Sequence, residues 1–392
     1  MLVSRRYFFL GSLALPSLTA RKPAPERPHI LLMLADELPA WILGAYGNQE
    51  VRTPNLDRLA QTGTRFRNHF TAAPAPAPGR ATLLTGRTPM QLGEAGVVSS
   101  SDVPLDKILE GLGYVCQATD SGGAAQFLDH PPAGKSFFLT VSLTSLRPPY
   151  DGVAQEYRDL YAQAKFDGYA PDPVAANAQR GKEMLSDILG NVRKVAAAVT
   201  ALDDDVATLL SRVRQRGLFD NTLVIFTSAC GSLLGRHGLW DSAEASAPSN
   251  MYDEAVVTPM LWSWPGHVPA QAVRPEMVSS YDLVPTICDL VSTAAPNRNL
   301  CGRSYLLPAT GKPLPKKQPW RTTVCAHHGN TDMAREQRYK LVTRDAGKGP
   351  NELYDLPADP RERANQYENQ QYLTVRTTLQ SALSNWKEKY SA

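Results

Sequence analysis

Apolar runs of strand length alternate with helical segments along this chain, and that alternation limits the fold more than any other feature of the sequence. The apolar runs lie at residues 30–34, 114–119, 137–144 and 223–227. Thr53 and Pro54 have the residue types of a helix N-cap and a first helical position, and a long helical pattern covers residues 184–216. Strands that alternate with helices predict a mainly parallel sheet covered by helices on both faces.

The carboxyl ends of these strands are where functional residues are expected, because ligands of open parallel sheets bind beyond those ends. The first run is followed by Ala35, Asp36 and Glu37, which puts two adjacent carboxyl groups at a predicted strand end. The last run leads to Ala229 and Cys230, which carry no carboxyl group.

Composition places the chain among large globular proteins. With 392 residues, 43% of them hydrophobic, and a net charge of +3, it can bury a large core. It has no long acidic or basic block, so we expect no nucleic-acid partner. The five cysteines have no CxxC spacing, which argues against a zinc ribbon or a disulfide framework, and their odd number leaves at least one thiol free.

The first 20 residues predict an export signal, with a short basic start and an apolar stretch over residues 7–18. Arg5 and Arg6 make it similar to the twin-arginine signals of the bacterial Tat system, and a Sec signal is the alternative. Cleavage after Ala20 would place Leu18 where a small residue is preferred, so an uncleaved anchor stays open. No later stretch is long and apolar enough to span a bilayer, and we expect a periplasmic or extracellular protein.

Five segments carry a resemblance to a known family. They read RPHILLMLADE, TPNLDRLAQTGTRF, PAPGRATLLTGR, DNTLVIFTSACGSLLGRHGLW and, near the C-terminus, RYKLV with NELYDLPADPRE. In this order and spacing they resemble the formylglycine-dependent sulfatases of the alkaline-phosphatase-like superfamily. The resemblance implies an α/β/α sandwich over residues 27–310 with a large, mixed, mainly parallel sheet, and a small C-terminal α+β subdomain over residues 311–392. It also implies hydrolysis of sulfate esters with a bound divalent cation, usually calcium.

The family's reaction depends on a strong nucleophile, because a sulfate monoester is an anion that repels attacking groups. In the family that nucleophile is a formylglycine hydrate, made from the cysteine of a Cys-x-Pro-Ser-Arg motif at a helix N-terminus. The matching positions of this chain hold Pro76, Pro78, Gly79 and Arg80. Proline has no hydroxyl, thiol or backbone N–H, so we predict that Pro76 is not a nucleophile and that the chain carries no formylglycine.

Other positions that bind the cation or the sulfate in the family hold different residue types in this chain. They are Arg147 for a histidine, Ala229 and Cys230 for two cation ligands, Ser242 for a lysine and Val257 for an arginine. The residues that still match the family's functional positions are Asp36, Glu37, Arg80 and His237.

Asp36 and Glu37 match the family's paired acidic ligands and are the residual metal position. Calcium takes roughly six to eight oxygen ligands, so with Ala229 and Cys230 in place of ligands we expect weak Ca²⁺ binding at most and no other cofactor. A zinc site made of Cys230 and the two carboxyl groups is an alternative.

Arginine offers a competing interpretation, because two adjacent carboxyl groups without a metal repel each other unless a cation is close. Arg80 and Arg147 can supply that charge through bidentate pairs, and the same two side chains can bind an anion. His237 is expected to be a packed or surface-turn residue, because the family's lysine and histidine partners are missing. His327 and His328 are adjacent on a predicted strand and therefore point to opposite faces.

We therefore predict an exported, catalytically inactive pseudo-sulfatase that binds an anionic ligand, such as a sulfated glycan, or a partner. The alternative is a sulfuric ester hydrolase, similar to an arylsulfatase, with residual activity through a non-standard nucleophile. Thr71, Thr82 and Thr85 lie near the replaced cysteine position, but none of them occupies it, and each is expected to be an ordinary strand or helix residue.

Overall fold

The computed structural model describes residues 27–93, 95–144, 146, 148–169 and 171–391. The predicted export signal and Arg147 lie outside the described residues. The strands are β1 (His29–Glu37), β2 (Thr64–Phe70), β3 (Val115–Asp120), β4 (Phe137–Leu143), β5 (Thr222–Cys230), β6 (Met260–Ser263), β7 (Ala272–Ser279), β8 (Val324–His328), β9 (Thr331–Arg335), β10 (Tyr339–Arg344) and β11 (Glu352–Asp355). The α-helices are α1 (Pro54–Gln61), α2 (Pro76–Thr85), α3 (Pro89–Leu92), α4 (Leu105–Glu110), α5 (Ser121–Asp129), α6 (Gln155–Tyr161), α7 (Ile188–Gln215), α8 (Asp253–Val256), α9 (Leu283–Leu290), α10 (Leu306–Ala309) and α11 (Leu373–Tyr390).

The large sheet has seven strands in the order β3-β4-β1-β5-β6-β2-β7. β1 runs parallel to both β4 and β5, whereas β6 is antiparallel to β5 and β2. The mixed, mainly parallel sheet predicted from the sequence is confirmed, and the four apolar runs are β1, β3, β4 and β5. Every residue of β5 is buried, because helices cover both faces of the sheet.

Two hydrophobic cores lie on opposite faces of β1, since successive side chains of a strand point to opposite sides. Leu31 and Met33 pack into one core with the buried face of α7. Ile30 and Leu32 pack into the other core with apolar residues of α2, α4 and α9. Helices and loops bury both faces of the sheet in this way. A functional site is therefore expected at the edge formed by the carboxyl ends of β1 and β5.

The C-terminal part of the chain forms a small antiparallel sheet in the order β11-β10-β9-β8, as the predicted α+β subdomain requires. α11 packs on this sheet through Leu379, Leu383 and Trp386. The backbone N–H of His327 in the edge strand β8 donates to the carbonyl oxygen of Ala72 at 2.9 Å. This contact joins the small sheet to the segment that leads into α2. Among the described residues, no helix combines the length and apolar character that crossing a bilayer requires.

A buried ion network joins the small sheet to α8. The side chain of Lys340 in β10 is 0% exposed, and its Nζ lies 2.7 Å from Asp253 Oδ1 and 2.6 Å from Glu362 Oε1. The same nitrogen donates to the carbonyl oxygen of Met251 at 2.7 Å, which uses all three N–H groups of the ammonium. Burial raises the pKa of Glu362, whereas the neighbouring ammonium of Lys340 lowers it and favours the ionised form that completes the pair. Charged groups therefore make this buried contact in place of apolar side chains. Removing one of them would leave another buried charge without its partner.

The N-terminus of α1 is capped by a residue from another helix. Thr53 lies at the N-cap position, as predicted, but its side chain makes no capping bond. Asp203, buried in the middle of α7, accepts hydrogen bonds from the backbone N–H groups of Asn55 at 2.9 Å and Leu56 at 2.8 Å. Its carboxylate thus satisfies donors that a helix start leaves without partners.

Replacing Asp203 with alanine is expected to lower the free energy of unfolding by about 1–3 kcal/mol, because it leaves buried N–H groups of α1 unpaired. Asp204→Ala, which removes an exposed carboxylate one residue along the same helix, is the matched control and is expected to change stability by about 0.5 kcal/mol or less. Urea unfolding followed by circular dichroism measures both. Equal losses in the two variants would contradict the capping role.

Candidate active site

The carboxyl ends of β1 and β5 and the N-terminus of α2 meet at one edge of the large sheet. Glu37 pairs with Cys230 in the parallel register of β1 and β5. An open cleft of about 380 Å³ lies beside them. Its lining residues are Asp36, Glu37, Pro76, Pro148, Arg180, Gly181, Glu183 and Asp241. The cleft thus brings together three of the residues singled out in the sequence, namely Asp36, Glu37 and Pro76.

The start of α2 lacks the groups that make a helix N-terminus attractive to anions. Pro76 and Pro78 occupy the first and third helical positions and have no N–H. The N–H of Ala75, at the N-cap, donates to the carbonyl oxygen of Ala73 at 2.8 Å. Ala77 alone among these positions keeps an N–H available to a ligand. The start of α2 therefore offers an anion fewer backbone N–H donors than an ordinary helix N-terminus does.

Gly79 lies where the backbone of β5 comes very close to α2. A Cβ atom built on Gly79 would lie 2.4 Å from the carbonyl oxygen of Ala229 and 2.9 Å from that of Ala73. Both neighbours are backbone atoms, which cannot turn away as a side chain can. The position that holds serine in the family motif therefore has no room for a side chain in this chain.

Arg80, on the next position of α2, is held by groups from two strands. Its guanidinium donates to Asp36 Oδ1 at 2.9 Å and to the hydroxyl of Ser142 in β4 at 3.0 Å. The side chain of Asp36 is only 6% exposed, so the ion pair lies in a shielded place. Arg80 is therefore engaged within the protein. Arg147, the other arginine predicted for this site, lies outside the described residues.

A second arginine, which the sequence did not single out, lies over the cleft. Nε of Arg180 lies 2.8 Å from Asp241 Oδ2, and NH1 of the same guanidinium pairs with Glu244. NH2 of Arg180 lies 4.0 Å from Glu37 Oε1. Burial raises the pKa of Glu37 to about 8; Asp241 adds to the shift, and Arg180 opposes it. A substantial fraction of Glu37 is therefore protonated at neutral pH.

The residues at this edge do not fit a calcium ion. In the described part of the chain, no three histidine, cysteine, aspartate or glutamate side chains form a metal-binding group. Guanidinium groups already bind oxygens of Asp36 and Asp241, and β5 ends in Ala229 and Cys230. Burial also raises the pKa of Cys230 well above its usual value, and its thiol points to the carbonyl oxygen of Asp36 at 3.4 Å. A thiol kept protonated in this way is a poor zinc ligand, so the zinc alternative gains no support.

His237 has structural partners and is not among the residues that line the cleft. Its ring stacks on Tyr252 with 3.6 Å between centroids, and its Nε2 lies 3.3 Å from Glu254 Oε2. His327 lies 2.7 Å from Asp332, whereas His328 lies 3.8 Å from Glu244, so the adjacent histidines have separate partners.

The threonines near the replaced cysteine position are buried. The hydroxyl of Thr71 donates to the carbonyl oxygen of Ala73, and that of Thr85 donates to the carbonyl oxygen of Ala81. Thr82 is 0% exposed. None of these three hydroxyl groups lines the cleft.

Comparison with known families gives two matches. A family model described as "Sulfatase" matches residues 28–120 and 122–293, and one described as "N-sulphoglucosamine sulphohydrolase, C-terminal" matches residues 235–389. Arylsulfatase A of Bos taurus is 29% identical over 76% of this chain and 71% of its own length. N-acetylgalactosamine-6-sulfatase of Sus scrofa is 26% identical over 79% of this chain and 70% of its own length.

Solved structures share the fold over nearly the whole chain. The phosphonate monoester hydrolase of Agrobacterium radiobacter superposes with a TM-score of 0.81 at 19% identity, covering 93% of this chain and 96% of its own. A protein in complex with its substrate D-glucosamine-2-N,6-O-disulfate superposes with a TM-score of 0.79 at 19% identity, covering 93% and 98% of the two chains.

Proposed function

Because this chain belongs to the sulfatase family, we propose that it keeps the family fold without the family reaction, as a catalytically inactive pseudo-sulfatase. The observation that carries the proposal is the start of α2, where Pro76 faces the cleft in place of a nucleophile. A proline side chain has no atom that can attack sulfur or phosphorus.

The surroundings of Pro76 support the same conclusion. A sulfate ester needs positive charge and N–H donors around its oxygens. The start of α2 has lost two of those donors at Pro76 and Pro78, and four carboxyl groups line the cleft, those of Asp36, Glu37, Glu183 and Asp241. At the short distances of such a cleft, ionised carboxylates repel an anionic ester, so we assign the anionic ligand of this proposal to the arginines and not to these carboxyl groups.

An active sulfuric ester hydrolase with a non-standard nucleophile is the second candidate, and the similarity to named sulfatases favours it. Such an enzyme would need a hydroxyl, thiol or carboxylate that reaches the ester. Asp36 and Glu37 are the groups of that kind at the strand end, and Arg80 already holds Asp36. This candidate therefore requires either the Arg80–Asp36 pair to open during the reaction or Glu37 to act in place of Asp36.

Purified protein is expected to release no 4-nitrophenol from 4-nitrophenyl sulfate or 4-nitrophenyl phosphate above the buffer rate, with or without added CaCl₂. The physical reason is the missing nucleophile at Pro76. Absorbance of the released nitrophenolate is the measurement. Turnover that Asp36→Ala abolishes and Asp204→Ala retains would overturn the proposal in favour of the hydrolase.

The proposal includes an anionic ligand, in particular a sulfated glycan, because membership of the sulfatase family points to one. A structural neighbour is described in complex with a disulfated glucosamine, which supports that choice of ligand class. Arg80 and Arg147 are the proposed anion-binding residues. Arg80 would have to exchange Asp36 and Ser142 for the ligand.

Export and domain organisation complete the proposal. We infer a periplasmic or extracellular location from the Tat-like signal over residues 1–20, and two units over residues 27–310 and 311–392. The separate small sheet of β8 to β11 supports the second unit.

A further inference from the structure

Another cavity lies in the C-terminal part of the chain, between α11 and the small sheet. It has a volume of about 380 Å³ and shares no lining residue with the cleft at the large sheet. Pockets for small ligands usually span about 300–1,000 Å³, so this cavity can hold one small molecule. α11 lines it with residues three or four positions apart, which lie on one face of the helix, namely Gln380, Leu383, Ser384 and Lys387.

Thr343 in β10 lines the cavity from the side of the sheet. It lies on the same face of β10 as Leu341, which packs with residues of α11, so its side chain points toward that helix. Thr343 is only 6% exposed, yet among the residues that the structure describes its hydroxyl group has no hydrogen-bond partner. A largely buried hydroxyl without a protein partner is suited to a ligand that enters the cavity.

The charges of the cavity lining balance each other. Asp332 in β9 is opposite Thr343, and its side chain is only 3% exposed. Its carboxylate pairs with the ammonium of Lys387 and lies 2.7 Å from His327 Nδ1. After donating to Asp332, Lys387 keeps two N–H groups for a ligand. Because Asp332 and Lys387 carry opposite charges at contact distance, neither a cation nor an anion is strongly favoured.

The uncharged polar groups of the cavity can donate and accept hydrogen bonds. Within the described part of the chain, the hydroxyl of Ser384 has no hydrogen-bond partner. Gln380 Nε2 donates to the hydroxyl of Tyr367 at 3.1 Å, which leaves the carbonyl oxygen of the amide as an acceptor. Leu383 adds an apolar wall. Alternating donors and acceptors on a partly apolar wall match the hydroxyl groups and the C–H face of a sugar ring.

We propose that this cavity binds one pyranose ring of a neutral sugar, with Thr343, Ser384 and Lys387 donating to its hydroxyl groups and Gln380 accepting from one. The binding is reversible and involves no covalent step. The site uses only residues of the C-terminal part of the chain. It therefore does not depend on whether the cleft at α2 hydrolyses esters or binds an anion.

Ligand-observed NMR titration of the full-length protein with methyl β-D-glucopyranoside and methyl β-D-galactopyranoside tests the proposal. Saturable binding of at least one of them is expected, with a Kd of about 1–10 mM, because the cavity is open and offers few contacts. Ser384→Ala is expected to weaken this binding about threefold to tenfold, since it removes one hydrogen bond. Ser381→Ala removes a hydroxyl that is bonded to Thr377 on the same helix and is the matched control, with unchanged binding.

Thr343→Val separates a role in binding from a role in folding. The variant keeps the shape of the side chain and is expected to weaken sugar binding about threefold to tenfold. Its midpoint of urea unfolding is expected to stay the same or to rise, because the hydroxyl that it removes has no partner in the described structure. A structural hydroxyl would lower that midpoint.

Four results would overturn the proposal. They are no saturable binding of either sugar, equal affinity for the unchanged protein and both cavity variants, tighter binding of ethyl sulfate or ethylammonium than of the sugars at this cavity, and loss of sugar binding in Arg180→Gln. The last result would place the sugar in the cleft that Arg180 lines. Ester turnover would refute the inactive state and leave the sugar titration unaffected, so the two proposals fail separately.

Discussion

Replacing Lys340 with methionine is expected to lower the free energy of unfolding by about 3–5 kcal/mol, the usual cost of removing one partner from a buried ion pair. The side chains of Lys340 and Glu362 are 0% and 1% exposed, so water cannot take the place of the lost ammonium. Asp253 keeps Arg335 at 3.0 Å, whereas no other basic side chain in the described part of the chain pairs with Glu362. The variant therefore buries a carboxyl group without its cation.

Chemical denaturation of the full-length protein measures this loss. Lys348→Met removes an exposed lysine after the same strand and is the control, with an expected change of about 0.5 kcal/mol or less. Lys340→Met combined with Glu362→Leu removes both charges and is expected to recover part of the stability, because well-packed apolar residues can replace a buried pair. A loss of about 1 kcal/mol or less in the single variant would contradict the role assigned to the network.

Restoring the family motif by Pro76→Cys with Gly79→Ser is expected to destabilise the protein by about 1–3 kcal/mol and to yield no ester turnover. The reason lies at Gly79, where a Cβ would approach the carbonyl oxygen of Ala229 to 2.4 Å. Either α2 must move away from β5, or the side chain must be strained. The new thiol would also lie in a cleft lined by the carboxyl groups of Asp36, Glu37, Glu183 and Asp241.

Thermal and urea unfolding of the double variant and of Gly79→Ser alone test this expectation. Gly152→Ala is the control, because a Cβ at Gly152 meets no atom within 4 Å. If Gly79→Ser were as stable as the unchanged protein, the close contact between α2 and β5 would not restrict this position.

The fold could be predicted because its sequence signals are local. The buried strands β1 and β5 are continuous apolar runs, and the long pattern before β5 is the helix α7. The same pattern could not predict that Asp203 caps α1, because that contact joins residues 147 and 148 positions apart. It depends on how α7 crosses the sheet.

The sequence could predict the site residues that lie at strand ends or in the family motif. Three of them, Asp36, Glu37 and Pro76, line one cleft. Arg180 was missed because it lies in a segment without periodicity, between α6 and α7, whose path depends on tertiary contacts. Asp241 carried a usable signal, since it immediately precedes Ser242, a position already compared with the family. Ser242 in place of a lysine removes one positive charge from the site. The carboxyl group of Asp241 beside it makes the site more negative still.

The approach of Ala229 to Gly79 also bears on the direction of evolutionary change in this lineage. Because no side chain fits at position 79, a mutation that restores the motif serine is expected to cost stability before any catalytic benefit can arise. If the chain is inactive, as we propose, formylglycine-dependent hydrolysis would need a changed helix position, a nucleophile and a cation site together. No single substitution is therefore expected to give this chain formylglycine-dependent activity.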